Sequence, residues 1–176
     1  MMNFLNRFRR AASGVSAVEF ALIAPVMLIT FFGIAEVANY ILAARKVANV
    51  ASTAADLVTQ DTVVNNAEMG DIMGALDVIL QPFDPAKAQI RITSVVADAN
   101  GVTTVAWSDA RNTLPRGQGT PITVPAGLVL ANQGLVMAEV SFTYQTLFGM
   151  YLTNGMTTSD TFYLKPRRST TVQRVP

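Results

Sequence analysis

The residue types of this chain of 176 residues exclude most of the common catalytic and metal-binding sites. The sequence contains neither His nor Cys, so it cannot form an imidazole or thiolate metal site, a Ser-His-Asp triad or a disulfide framework. Its acids and hydroxyl residues show no convergent acid-base or nucleophile pattern. One carboxylate stands out, because Glu19 opens a long apolar run. A carboxylate drawn into a bilayer is costly, so Glu19 is either a functional group or a plain interfacial residue among the headgroups.

The apolar run after Glu19 is long enough to cross a bilayer. It is uncharged over residues 20–35 and extends to Ala44 if Glu36 is admitted. A helix over residues 15–44 would measure about 45 Å, compared with about 30 Å for the hydrocarbon layer. The mean hydropathy of +0.35 agrees with a chain that is partly solvated by lipid. We therefore predict one transmembrane helix over 15–44.

The charges are segregated along the chain, and this sets the expected orientation. Residues 1–14 carry three arginines and no acid, residues 165–176 carry four bases and no acid, and the region between them holds six bases and all twelve acids. The positive-inside rule then places the N-terminus in the cytoplasm and the bulk of the chain across the membrane. The net charge of +1 gives no reason to expect nucleic acid as a partner. A secretory signal peptide is less favoured, because the apolar run is long and lacks a clear A-x-A cleavage site.

A short motif lies at the start of the apolar run. Gly14 follows the basic leader, and the pair Glu19-Phe20 begins five residues later. This string resembles the processing site of the tight-adherence (Flp-type) branch of type IV pilins. The resemblance implies cleavage between Gly14 and Val15 by a membrane-embedded prepilin peptidase. It also implies that the new Val15 ammonium pairs with Glu19 of the same or an adjacent subunit, because a buried unpaired charge is costly.

Further segments resemble the TadE/TadG-like minor pilins of the same system. They are residues 18–25, 45–48, 124–127, 138–144 and 162–168. The resemblance implies a minor pilin or pseudopilin, a structural protein without enzymatic activity or cofactor that is needed for assembly or tip formation of an adhesive pilus. The implied partners are the prepilin peptidase, other minor pilins, the major Flp-type pilin and the lipid bilayer. The implied location is the bacterial inner membrane with a periplasmic C-terminal domain, with or without incorporation into the extracellular pilus. The alternative is an uncleaved, single-pass periplasmic binding or adhesion protein.

Two amphipathic helices are predicted beyond the membrane segment. One continues the first helix over residues 45–65, with an apolar stripe at offsets of 0, 3, 4, 7, 10 and 11 from Val47. The other runs from about Asn66 to Gln81, where Pro82 and Pro85 stop it.

From Ala88 onward the apolar period changes from 3.6 residues to two, which predicts strands. The pairs Asn100-Gly101 and Asn154-Gly155 are typical of hairpin turns. The first predicted strand starts at Ala88, and the other three cover residues 102–108, 136–144 and 157–165. Helices followed by strands indicate an α+β fold, in which an antiparallel sheet of about four strands packs on the helices.

Four smaller features have plain interpretations. The segment 98–101 lacks most ligands of a calcium loop, and Gly117-x-Gly119 in the loop over 111–121 lacks the flanking strand and helix of a phosphate site. Trp107 is expected to pack in the sheet. The basic segment Lys165–Arg168 is expected to be solvated, with contact to an acidic neighbouring subunit as the alternative.

The predicted organisation follows from these segments. It consists of a basic prepilin leader (1–14), a transmembrane helix (15–44), an exported helix extension (45–65), an α+β head domain (66–168) and a tail (169–176).

Overall fold

The computed structural model describes residues 13–146 and 155–176, and within them the fold is α+β, as predicted. Helix α1 spans Ser13–Gln60 and α2 spans Asn66–Leu80. The strands are β1 (Val63–Val64), β2 (Ala88–Ala97), β3 (Thr103–Arg111), β4 (Gly134–Tyr144), β5 (Met156–Leu164) and β6 (Gln173–Arg174). A single 3₁₀ turn, Pro85–Lys87, precedes β2. Most of the predicted leader and the Asn154 half of the second predicted turn lie outside the described residues.

The described chain falls into two compact units. One contains α1 up to Asn39, and the other contains residues 40–145 and 155–176. The candidate membrane span lies on α1, the one described helix that is long and apolar enough to cross a bilayer. By length and composition, α1 fits a single-pass membrane anchor. We call the second unit the head.

The head is built on a four-stranded antiparallel sheet in the order β3-β2-β4-β5. In its centre, Ile92 of β2 pairs with Asp109 on one side and with Ala138 on the other. Strands β2 and β4 alternate side chains between two faces, so one face can be fully apolar. That face contributes these core residues: Ala88, Ile90, Ile92, Val136, Ala138, Val140, Phe142 and Tyr144.

Two helical segments cover this apolar face. The second part of α1 contributes a stripe of small residues, each with 0% exposure: Ala43, Val47, Val50, Ala51, Ala54, Ala55 and Val58. Helix α2 adds Met69, Leu76 and Leu80. Its N-terminus is fixed by a capping box, in which the Asn65 side chain accepts from the Glu68 amide and the Glu68 side chain accepts from the Asn65 amide. The helix ends just before Gln81-Pro82, as the proline predicts.

The C-terminal segment returns to the head, which the sequence patterns did not indicate. Strand β6 pairs in parallel with β1, and the Arg167 amide donates to the Thr59 carbonyl at 3.1 Å. The Arg167 side chain forms an ion pair with Asp56 but stays 58% exposed, and Lys165 and Arg168 are exposed as well, as expected for a solvated segment. Trp107 packs against the core as predicted, and its indole N–H donates to the Val172 carbonyl at 2.7 Å.

Candidate functional site on the first helix

The four predicted site residues lie together in the first turns of α1. Gly14, Val15, Glu19 and Phe20 all have helical backbone and exposed positions, with exposures of 58% for Val15 and 68% for Phe20. Val15 and Glu19 are four residues apart and therefore neighbour each other on one helix face. Among the described residues, Glu19 forms no ion pair.

Gly14 has no structural requirement for glycine within the described fold. A Cβ built at this position meets no other atom within 4 Å. Gly14 is the second described residue of α1, and neither crowding nor a turn within the described fold requires a glycine there.

The exposed surface of α1 from Val15 to Val37 is mainly apolar. The exposed large apolar residues of this part of α1 are Val15, Val18, Phe20, Leu22, Ile23, Val26, Met27, Leu28, Ile29, Phe31, Ile34 and Val37, and each is 43–72% exposed. We call this surface the apolar collar. An apolar helix that does not enter a core requires lipid or other helices as its surroundings.

Two polar side chains of this part of α1 donate to backbone carbonyls of the preceding turn. The Thr30 hydroxyl donates to the Val26 carbonyl at 2.9 Å, and the Asn39 amide donates to the Ala35 carbonyl at 3.0 Å. Glu36 differs, because it is 1% exposed and both carboxylate oxygens lack a hydrogen-bond partner in the described part of the chain. The sequence placed Glu36 inside the apolar run but gave no signal that it would be buried.

A charged cluster on the other face of the sheet was also missed. Glu139 on β4 accepts hydrogen bonds from both terminal nitrogens of Arg116, one of them at 2.9 Å, and lies 3.5 Å from Arg91. Partial burial raises the pKa of the Glu139 carboxyl, but the hydrogen bonds and positive charges of Arg116 and Arg91 outweigh it, and the pKa lies below its usual value.

This charged cluster holds the loop after β3 against the sheet. Arg91 also donates from Nε to the Leu114 carbonyl at 2.9 Å and from Nη2 to the Thr113 hydroxyl at 3.1 Å. Each charged group of the cluster thus already forms hydrogen bonds or ion pairs within the fold. Sequence spacing could not reveal the cluster, because its members are separated by more than 20 residues along the chain.

The described residues show no arrangement suited to metal binding, since no group of three or more acids lies close enough to hold an ion. The chemistry of residues 13–39 of α1 rests on apolar surface, on the exposed carboxylate of Glu19 and on the buried carboxylate of Glu36.

A comparison with known protein families gives a match on α1, the helix that carries the candidate site. A family model described as TadE-like protein matches residues 14–56, which is most of α1. Neither the curated proteins nor the solved structures contain a match to the chain. The match begins at Gly14, includes the collar and ends on the stripe that covers the sheet. Over residues 14–56, the chain is therefore similar to the TadE-like proteins.

Proposed function

We propose that this chain is a minor pilin, or pseudopilin, of a tight-adherence pilus. In this proposal a prepilin peptidase cuts the precursor between Gly14 and Val15, and the mature chain stays in the inner membrane or joins the pilus. The observation that carries the proposal is the apolar collar, which begins next to Gly14-Val15 and in which every member is at least 43% exposed. Lateral packing against the helices of other pilins would cover this surface.

Gly14 supports the cleavage step. Because open space surrounds it, packing does not explain why a glycine stands there. A peptidase that must bind the chain in extended form gains from a residue without a side chain, since glycine leaves helical geometry at low cost. The leader that would be removed carries three arginines, which fit the cytoplasmic side of the membrane.

Glu19 supports the assembly step. Cleavage would create a positive ammonium at Val15, four residues from Glu19 and on the same helix face. Glu19 has no ion-pair partner among the described residues, so its charge is open to this ammonium or to that of an adjacent subunit. In a lipid or helix-packed environment, such pairing removes most of the penalty of an isolated charge. The ion pair would set the axial register between neighbouring helices.

The head would provide specificity for partners on the periplasmic side, including other minor pilins and the major Flp-type pilin. It has a core of its own, so its surface can vary without changing the membrane helix. The mechanism is assembly through surfaces, and the chain performs no chemical reaction in it.

Cleavage is tested by the intact mass of protein purified from membranes of a cell with active prepilin peptidase. The proposal expects a species that starts at Val15. Gly14→Leu should block this maturation, because a side chain obstructs the cleavage point. Gly70→Leu is a matched control, since Gly70 is also helical with nothing within 4 Å of a built Cβ. Full-length wild-type protein would contradict the proposal and support the uncleaved periplasmic anchor.

The pairing role of Glu19 is tested separately. Glu19→Val should leave cleavage intact and reduce the number of pili, counted by electron microscopy. Asp71→Val is the control, because Asp71 is an exposed acid on α2 of the head. Normal piliation by the Glu19→Val cells would show that the ion pair is not required.

A further inference from the structure

The end of the head nearest to the membrane helix carries basic residues without acidic partners. Arg45 is exposed and Lys46 is half-buried on α1, and Lys87 is exposed in the 3₁₀ turn before β2. None of the three forms an ion pair within the described residues. Elsewhere in the described head, five arginines each form an ion pair with a carboxylate, whereas Lys165 and Arg168 form none.

Contacts within the head place Lys87 at the same end as the start of its helix. The Lys87 ammonium donates to the Gln145 side chain at 2.6 Å. Gln145 directly follows Tyr144, whose ring lies edge-on to that of Tyr40 with 6.1 Å between centroids. Phe83 continues this aromatic group, 6.2 Å from Tyr144. Two tyrosines and three bases therefore lie around the first turns of α1 in the head.

The length of the apolar run sets the expected depth of these residues. About 20 helical residues cross the hydrocarbon layer. Counted from Phe20, the hydrocarbon would end near Asn39, so Tyr40 falls at the boundary where tyrosines are enriched in membrane proteins. Arg45 and Lys46 lie about 8–9 Å further along the helix, at the outer edge of the headgroup layer, which is about 5–8 Å thick on each side.

The acids at this end do not neutralise the three bases. Asp84 is exposed, and one of its oxygens accepts a hydrogen bond from the Ala86 amide of the 3₁₀ turn. Asp77, near the end of α2, is already bound to Arg111. Glu36 is buried. Two exposed bases and the half-buried Lys46 thus face one exposed acid, so the surface remains positive.

The two bases on α1 also oppose the orientation rule for membrane proteins. Lys and Arg next to a span favour the cytoplasmic side, yet Arg45-Lys46 lies on the side expected to be exported. A binding partner of negative charge would offset this cost. Lipid phosphate groups lie just below this level, within reach of the long side chains of Arg and Lys.

We propose that this end of the head, formed by Tyr40, Arg45, Lys46 and Lys87, docks on the outer surface of the membrane and binds the phosphates of anionic lipid headgroups. This surface holds the head down on the bilayer while the protein resides in the membrane. The proposal requires α1 to span the bilayer, but it requires neither cleavage at Gly14 nor pilus assembly.

The absence of Cys allows a direct test with single-cysteine labels on the full chain. The protein is reconstituted in nanodiscs that contain phosphatidylglycerol, with a nitroxide at Ala86→Cys or, as a control, at Asn100→Cys. Asn100 lies in the turn between β2 and β3, at the opposite end of the sheet from Tyr144. A nickel-chelating lipid should relax the label at residue 86 strongly and the label at residue 100 weakly.

Charge variants show whether the bases cause the docking. Arg45→Gln with Lys46→Gln should lower the ratio of docked to undocked heads about 25-fold, because each base near an anionic surface contributes about fivefold. Arg168→Gln is the control, since Arg168 is exposed in the C-terminal segment. Discs of phosphatidylcholine alone should also weaken docking.

Three results would overturn the proposal. They are equal relaxation at residues 86 and 100, docking that does not depend on the two bases, and docking that does not depend on lipid charge. Near-UV circular dichroism of Trp107 confirms that each variant remains folded. Failure of cleavage or piliation in the experiments on Gly14 and Glu19 would not change these outcomes, so the two proposals can fail independently.

Discussion

The two parts of α1 differ in what surrounds them, although both are rich in alanine and valine. Up to Phe31, large apolar side chains are exposed on every side, whereas from Ala43 to Val58 a single stripe is completely buried. The second part also carries a polar side, formed by Lys46, Asn49, Ser52, Thr53, Asp56 and Gln60. Composition alone does not separate the two parts. The presence or absence of a polar side does, because only an amphipathic helix has one face for a core and another for water.

The comparison indicates that α1 serves two structural purposes within one continuous element. The stripe from Ala43 to Val58 belongs to the head and is expected to govern its stability. The collar contributes nothing to that core, and its surface is available for lipid or other helices. Substitutions of the same chemical type should therefore act differently in the two parts.

The largest effect is expected for a charge placed on the buried stripe. Val50→Asp would bury a carboxylate without a partner, and we expect the free energy of unfolding of the head to fall by more than about 4 kcal/mol. Chemical denaturation in detergent, followed by Trp107 fluorescence, measures this change. Asn49→Asp is the control, because Asn49 is exposed on the polar side one residue away. A folded Val50→Asp head of normal stability would contradict the assignment of the stripe to the core.

A smaller effect is expected when a larger apolar residue replaces alanine. Ala54 has 0% exposure, so Ala54→Leu should overpack the interface between α1 and the sheet and cost about 1–3 kcal/mol. Ala21 is exposed in the collar, and Ala21→Leu should leave head stability unchanged. The difference in melting temperature between these two variants tests the comparison directly. Equal destabilisation by both would mean that the collar also supports the head.

The elements with a long periodic pattern were predictable from the sequence. The stripe that starts at Val47 has the period of a helix, and Pro82 marks the end of α2. The alternation in β4 indicated a strand with one buried face, and Val140 and Phe142 are indeed buried. Such patterns reflect local backbone geometry, so they can be read without knowledge of tertiary contacts.

Features that depend on distant contacts could not be predicted in the same way. Strands β1 and β6 have two residues each and lie about 110 residues apart, so neither has a measurable period. The ion pairs of Arg167 with Asp56 and of Arg116 with Glu139 also join distant segments. The predicted processing residues are exposed on α1, but their role depends on a peptidase and on other subunits. Their assignment stays a prediction until maturation is measured.

The smallest effect is expected from acid acting on Glu139, and it separates the charged cluster from the buried stripe. The folded-state pKa of Glu139 is lowered, so its contribution to stability is fully present above the unfolded value of about 4.3 and is lost as the pH falls through the folded pKa. Glu139→Gln should lower the free energy of unfolding at neutral pH. It should also remove the part of the stability loss at low pH that comes from protonation of Glu139. The stripe on α1 is uncharged, so Ala54→Leu should shift the whole pH profile by a constant amount. Melting temperatures measured from pH 7 down to pH 3 distinguish the two behaviours. If the melting temperature of Glu139→Gln fell in acid as steeply as that of the wild type, other carboxylates would dominate the acid sensitivity. A destabilisation by Ala54→Leu that varied with pH would mean that the stripe is coupled to a titrating group.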